Sequence, residues 1–204
     1  MAQTFKGMTL LAALAAGPLF GGAPGWRFAR TGAGLRTLTT QGQAQTPAGP
    51  ADASLNLFCK EGAGGWIGLE FTVFKADEAT PGAFLQSIQA FHFDDFEGPG
   101  APASGRRLTS LECRGGAGDC RIQVRQAGSY SSSLSGGFEF STGVPNTAAG
   151  SGLRRLLAAL GKAGGAALAV TVTDTRDPGV TIRGEFSTAS PELPGLVKQL
   201  LKDY

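Results

Sequence analysis

The chain has 204 residues, of which 18 are Lys or Arg and 16 are Asp or Glu, so that the formal net charge at pH 7 is +2. This length suits one domain with a leader, and the weak charge balance argues against a nucleic-acid-binding protein, which presents a strongly basic surface. Charged residues make up only 17% of the chain and hydrophobic ones 42%, which also argues against a charge-rich disordered protein.

The first 23 residues have the composition of a targeting leader. Lys6 precedes an apolar run from Met8 to Phe20, and no Asp or Glu occurs before Asp52. A positive segment followed by a short apolar one is typical of a secretory signal, and the run is shorter than the ~20 residues that a spanning helix needs. We therefore expect a signal-like leader over residues 1–23 and export to the periplasm, a lumen or the outside.

Two small-x-small motifs offer an end to this leader, one closing at Ala15 and the other at Ala23. The residues that follow are rich in Arg and Thr and contain no acid, as organellar transit peptides do. Import into an organelle is therefore the alternative to export. If the leader is retained, we expect its apolar residues 8–20 to associate with a membrane.

Residues 24–53 have a composition that is typical of a segment without a fold of its own. The stretch from Thr39 to Ala53 is rich in Gln, Gly, Pro and Ala, and such a stretch buries too little apolar surface to order itself. We predict a flexible linker or a transit segment over residues 24–53. A single globular domain is then expected over residues 54–204.

Strands are predicted from Ser54 onward because the apolar residues mostly recur with period two. The segments 54–59 and 66–75 alternate in this way, and the glycine-rich turn between them allows them to pair. The segments 167–174 and 180–187 flank an Asp-Pro-Gly turn and are expected to form an antiparallel hairpin. Weaker or shorter patterns predict further strands at 85–96, 106–113, 120–124 and 136–141.

Two segments in the C-terminal half change to the helical period of 3.6. In residues 151–165 and 190–204 apolar residues, mostly leucines, recur at i, i+3, i+4 and i+7, and Ser190 is the expected N-cap of the second helix. We predict an α+β fold in which a mainly antiparallel sheet of about seven strands is covered by these two amphipathic helices. The alternative is an all-β sandwich with peripheral helices.

Three cysteines raise the question of a disulfide. Cys113 and Cys120 lie at the facing ends of two predicted strands, which can bring their Cα atoms within the roughly 4.4–6.8 Å that a bridge requires. In an exported protein we predict a Cys113–Cys120 disulfide, with a pairing of Cys59 to either residue as the alternative. The remaining Cys59 is expected to be a small buried apolar residue. No metal site is predicted, because three cysteines without C-x-x-C spacing and one histidine make a poor ligand set.

A few polar and aromatic residues are candidates for a site. His92 is the only histidine and precedes Asp94 and Asp95, so that a hydrolase using this group with a serine is conceivable, although no G-x-S-x-G nucleophile motif accompanies it. Trp66 and Tyr130 are candidates for lining a ligand groove. We therefore take His92, Asp94, Asp95, Trp66 and Tyr130 as candidate binding residues and assign no catalytic residue.

Two functional hypotheses follow from these patterns. The preferred one is a non-enzymatic exported domain that binds another protein or serves as an accessory component of a larger assembly, because a leader and cysteines are present and a catalytic motif is not. The alternative is a small hydrolase or ligand-binding enzyme using His92 with Asp94 or Asp95. No cofactor and no nucleic-acid partner is expected.

Overall fold

The computed structural model describes residues 25–61, 65–74, 109–114, 120–124, 128–132, 138–145, 152–162, 167–174 and 176–202. Within these ranges the chain forms ten strands and two α-helices. The strands are β1 (Arg27–Arg30), β2 (Leu35–Thr46), β3 (Gly49–Lys60), β4 (Trp66–Phe74), β5 (Thr109–Arg114), β6 (Cys120–Val124), β7 (Gly128–Ser132), β8 (Phe138–Pro145), β9 (Ala167–Thr173) and β10 (Thr181–Ser187). The helices are α1 (Gly152–Leu160) and α2 (Leu193–Leu200), and a 3-10 turn (Gly32–Gly34) joins β1 to β2.

All ten strands belong to one sheet, in which every pairing is antiparallel. The order across the sheet is β6-β5-β9-β10-β2-β3-β4-β8-β7, and β1 also pairs with β2. The prediction of a mainly antiparallel sheet with two helices, an α+β fold, is confirmed at this level. The predicted pairing of β3 with β4 and the hairpin of β9 with β10 are also confirmed.

The prediction of a flexible linker over residues 24–53 is wrong for the residues that the structure describes. Residues 27–30, 35–46 and 49–53 lie in β1, β2 and β3, and the pairing of β2 with β3 covers twelve residue pairs from Leu35↔Lys60 to Thr46↔Gly49. β2 and β3 stand in the middle of the sheet order, and β1 pairs with β2. The folded region therefore begins well before Ser54.

β2 forms a strand because buried and exposed residues alternate along it, although its composition resembles that of a linker. Leu38, Ala44 and Thr46 are buried, whereas Gln43 and Gln45 are exposed. The core side of β2 thus consists largely of small residues, which leave room for large side chains from neighbouring strands. Low mean hydropathy is typical of linkers, but here the apolar core above β2 is supplied by other segments of the chain.

Large side chains of other strands reach β2 and β10 because the sheet is strongly curled. β4 and β10 are separated by β2 and β3, which would put them roughly 14 Å apart in a flat sheet. A Cβ atom at Gly184 of β10 would nevertheless fall only 2.5 Å from Cε2 of Phe71 of β4. The rings of Phe71 and Phe186 stand edge to face with centroids 6.1 Å apart. The concave side of the curl is therefore filled with aromatic rings over a glycine.

Both helices contribute their apolar residues to the same core. The predicted leucine stripe of α1 is confirmed, since all four of its leucines are at most 1% exposed. In α2 the buried residues are Leu193, Val197 and Leu200. The expected N-cap is wrong: the helix begins after Glu192 rather than after Ser190, whose carbonyl accepts a hydrogen bond from the Leu193 N–H instead. The α1 stripe comprises Leu153, Leu156, Leu157 and Leu160.

β1 pairs with the part of β2 that β10 does not reach. β10 pairs with residues 43–45 of β2, and β1 pairs with residues 36–39 of the same strand. Trp26, just before β1, is 6% exposed, and its indole Nε1 donates a hydrogen bond to the carbonyl of Ser187 at 2.8 Å. This contact joins the start of β1 to the end of β10.

Candidate functional site

Only one of the five candidate binding residues has a described side chain. His92, Asp94 and Asp95 lie outside the described residues, as does the strand predicted over 85–96. Tyr130 lies in β7 opposite Phe140, and its side chain also lies outside the described part. The predicted grouping of these residues therefore stays a prediction.

Trp66 is half-buried at the start of β4, opposite Pro145 of β8. Its Cε3 lies 3.7 Å from the position that a Cβ would occupy at Gly143, so the indole packs over the backbone of β8. Phe58 of β3 lies on the same side of the sheet, and its Cζ would be 2.1 Å from a Cβ at Gly68. Together these two aromatic residues cover a glycine-lined part of the sheet, and Trp66 contributes packing there.

The backbone register supports the geometry expected for the two cysteines. β5 and β6 pair in an antiparallel hairpin in which Cys113 lies directly opposite Cys120. Their side chains lie outside the described part. Cys59 is a free cysteine, so the alternative pairing of Cys59 with either residue is wrong. The hairpin is confirmed, and the disulfide itself stays a prediction.

Cys59 is a buried free thiol, as expected. It lies on β3 opposite Arg36 of β2. Burial raises the pKa of the Cys59 thiol from 9.0 to about 12, although the positive charges of Arg36 and Arg154 act in the opposite direction. Because the thiolate is the nucleophilic form, a thiol with this pKa is unreactive at neutral pH.

Arg36 forms a buried polar centre at the end of the sheet where β2 begins. Its side chain pairs with the Glu61 carboxylate, which lies 3.7 Å from Arg30 as well. Its Nη1 donates to the carbonyls of Gln199 at 3.3 Å and Leu200 at 3.5 Å, and also to that of Lys202. The last carbonyls of a helix have no partner within the helix, so Arg36 satisfies the end of α2 and joins it to the sheet.

The side of the sheet away from the aromatic core carries a grid of polar side chains, which we call the polar face. In one row Thr39 lies opposite Asn56, which lies opposite Glu70, which lies opposite Ser141. All ten residues are described, and nine of them are half-buried while Gln43 is exposed. The polar face comprises Thr39, Gln41, Gln43, Asp52, Ser54, Asn56, Glu70, Thr72, Glu139 and Ser141.

Hydrogen bonds across the strands hold the polar face in place. The Thr39 hydroxyl donates to Asn56 Oδ1 at 3.2 Å, and Asn56 Nδ2 donates to Glu70 Oε2 at 2.8 Å. In the outer row Gln43 Nε2 donates to Asp52 Oδ1 at 3.0 Å. The amide of Asn56 thus has both its oxygen and its nitrogen engaged, which fixes the orientation of the Glu70 carboxylate.

The electrostatics of the polar face are dominated by carboxylates. Asp52, Glu70 and Glu139 are its charged members, and on β10 it borders the Arg183–Glu185 ion pair, in which Glu185 lies opposite Gln43. Burial raises the pKa of Glu70, the hydrogen bond from Asn56 opposes this, and the negative charge of Glu139 raises the pKa further. A positive charge placed between Glu70 and Glu139 would therefore be attracted by both carboxylates.

The described residues contain neither a metal-binding cluster nor a membrane-spanning helix. No group of three or more His, Cys, Asp or Glu side chains that could hold a metal ion occurs among those residues. Neither α1 nor α2 has the length and apolar character of a membrane-spanning helix.

Comparison of the chain with protein-family models, curated proteins and solved structures finds no match in any of the three.

The polar face was not predicted from the sequence, although a signal for it exists. Thr39, Gln41, Gln43 and Gln45 occupy every second position of β2, and the residues between them are small or apolar. Period-two alternation of this kind indicates a strand with one polar side. The abundance of Gln, Gly and Pro masked the alternation, because these residues are depleted in strands or common in linkers.

Proposed function

We propose that this protein is a non-enzymatic exported domain that binds another protein, as an accessory component of a larger assembly, through its polar face. The observation that carries the proposal is the row Thr39–Asn56–Glu70, in which each side chain is hydrogen-bonded to the next. Side chains that are already oriented lose little conformational freedom when they bind a partner. The polar face therefore has the preorganisation that a binding surface needs.

The position of the helices supports this choice of face. The buried leucines of both helices belong to the same apolar cluster as the core residues of the strands. We propose that α1 and α2 cover the concave side of the sheet. The polar face, on the opposite side, is then the broad surface of the sheet that is left for a partner.

The charge of the polar face indicates the chemistry of that partner. Three carboxylates and several amide or hydroxyl groups favour a protein that presents Lys or Arg together with hydrogen-bonding side chains. Burial of Glu70 beside Glu139 raises its pKa, and a basic side chain from the partner would offset that repulsion. Binding should therefore release protons in the pH range just above the ordinary pKa of a glutamate, and should strengthen as the pH rises through that range.

Affinity purification from the native source, followed by mass spectrometry, tests the proposal. We expect a partner to co-purify with the wild-type chain and to be lost when Glu70→Gln and Glu139→Gln are combined, with an affinity at least about tenfold lower. Glu192→Gln is the matched control, since Glu192 is an exposed carboxylate that directly precedes α2 and lies outside the polar face. Retention of the partner by the double variant, or recovery of the wild-type chain alone, would contradict the proposal.

A further inference from the structure

The Phe58 ring lies flat over a glycine at the border of the polar face. Phe58 of β3 lies opposite Gly68 of β4. Its Cζ would lie 2.1 Å from a Cβ at Gly68, and its Cε2 and Cε1 atoms would lie 2.6 and 2.7 Å from it. Because both Cε atoms are only slightly farther away than Cζ, the glycine lies under the face of the ring rather than beyond its edge. The opposite face of this half-buried ring therefore points away from the sheet.

The Glu70 carboxylate lies beside this ring on the same side of β4. Gly68 and Glu70 are two residues apart in the strand, so that their Cα atoms are separated by about 7 Å. Asn56 donates a hydrogen bond to Glu70 Oε2 at 2.8 Å, and Oε1 has no donor among the described residues. The outer face of the Phe58 ring and an oriented carboxylate oxygen are therefore neighbours.

The charges around the ring favour a cation on the side of Glu70. Glu139 of β8 lies diagonally across from Glu70, since Glu70 pairs with Ser141 in the register of the two strands. Lys60 lies two residues beyond Phe58 on β3, in the direction away from Glu70. A positive group placed between the ring and Glu70 thus has two carboxylates on one side and a single lysine on the other.

We propose that Phe58 and Glu70 together bind an arginine side chain of the partner protein. The guanidinium group stacks on the outer face of the Phe58 ring, and its N–H groups donate to Glu70 Oε1. Arginine fits this arrangement better than lysine, because its guanidinium is planar and weakly hydrated and stacks on aromatic faces, whereas the lysine ammonium is strongly hydrated. This inference rests on the proposed function and names the residue type that the polar face recognises.

Peptides of six arginines and of six lysines, which carry equal charge, test the inference on the purified protein. Calorimetric titration should show that the wild-type chain binds hexa-arginine about fivefold more tightly than hexa-lysine. Phe58→Leu keeps an apolar side chain over Gly68 but has no ring face, and should reduce this ratio to about one. Equal affinities of the wild-type chain for the two peptides, or no binding of hexa-arginine, would overturn the inference.

Two further variants separate stacking from a general loss of structure. Phe58→Tyr keeps the ring face and should keep the preference for hexa-arginine. Phe28→Leu makes the same change at a partly buried ring of β1 that packs against the apolar core, and should also keep the preference. If Phe28→Leu loses it as fully as Phe58→Leu does, the inference is overturned.

NMR of the peptide with the wild-type chain keeps the test decisive even if Phe58→Leu does not fold. The side-chain protons of bound hexa-arginine should move upfield, because they lie over the face of an aromatic ring, and an absence of this shift would contradict the stacking. Both measurements are made without the native partner. Failure of the arginine site and failure of a partner to co-purify are therefore distinct results.

Discussion

At the scale of single residues, Arg36 links three parts of the protein that are distant in sequence. It lies in β2, pairs with Glu61 after β3, and donates hydrogen bonds to the C-terminal carbonyls of α2. A buried charge that serves several acceptors is costly to remove, because each acceptor is left without a partner in a poorly solvated site. Arg36 is therefore a structural residue, although a buried cation beside a cysteine resembles a reactive site.

Replacement of Arg36 by Met tests this role. Arg36→Met should lower the free energy of unfolding by about 3 kcal/mol or more, since it leaves the helix carbonyls without their donor and Glu61 with only the more distant Arg30. The matched control is Arg183→Met, which removes the Arg183–Glu185 pair at the surface and should cost at most about 1 kcal/mol. Urea denaturation of the two variants provides the comparison. Equal losses in both variants would contradict the assigned role.

The buried thiol of Cys59 makes a prediction about pH. Burial raises its pKa to about 12 from 9.0, so that between these values the native state keeps a proton that the unfolded state has lost. The contribution of the Cys59 thiol to the free energy of unfolding is fully present below about pH 9 and is lost as the pH rises toward 12. The stability advantage of wild type over Cys59→Ala, measured by urea denaturation, should shrink between pH 8 and roughly pH 10.5. A difference that does not change with pH would contradict the prediction.

At the scale of elements, the curl of the sheet depends on the close approach of Phe71 to Gly184. A methyl group at position 184 would meet Phe71 ring atoms at 2.5 and 2.9 Å and a Phe186 ring atom at 3.1 Å. Both rings are almost completely buried, so that neither can move without disturbing the core. A glycine at this point of β10 is therefore a requirement of packing between strands that are not neighbours in the sheet.

The pair Gly184→Ala and Gly195→Ala tests this requirement. Gly184→Ala should destabilise the protein by about 1–3 kcal/mol through overpacking. Gly195 lies in α2 with no atom within 4 Å of a Cβ at that position, and Gly195→Ala should stabilise by about 0.5–1 kcal/mol because alanine is the better helix former. Opposite signs in thermal or urea unfolding are expected. A neutral Gly184→Ala would contradict the packing described for the curl.

The elements that were predicted correctly are those whose own side chains form the core. The leucine spacing of α1 and the alternation in β4 and β9 indicate the buried side of each element from its own sequence. β2 was mistaken for a linker because the residues on its core side are small and are covered by side chains of other strands, such as Phe186 of β10, whose ring lies over Gly42. A local pattern carries no information on such long-range packing, and the hydrogen bond from Trp26 to Ser187 spans 161 residues.

At the scale of the whole molecule, the two sides of one curled sheet differ in polarity. The concave side holds the apolar core, to which both helices contribute, and the other side carries the polar face. The apolar periodicity of the sequence predicted the apolar core. The polar face was not predicted, because the cross-strand neighbours of Asn56 and Glu70 depend on the register of four strands. Those strands come from separate segments of the chain.

Site-specific photo-cross-linking in cells of the native source tests the central claim most directly. A photoreactive amino acid is placed at Ser54, in the middle row of the polar face between Gln41 and Thr72, and separately at Pro178 in the exposed turn between β9 and β10. We predict a covalent adduct with one partner protein from position 54 and none from position 178, and loss of the adduct when Glu70→Gln and Glu139→Gln are added. The same adduct from both positions, or no adduct from position 54 in cells that contain the folded protein, would contradict a binding role for the polar face.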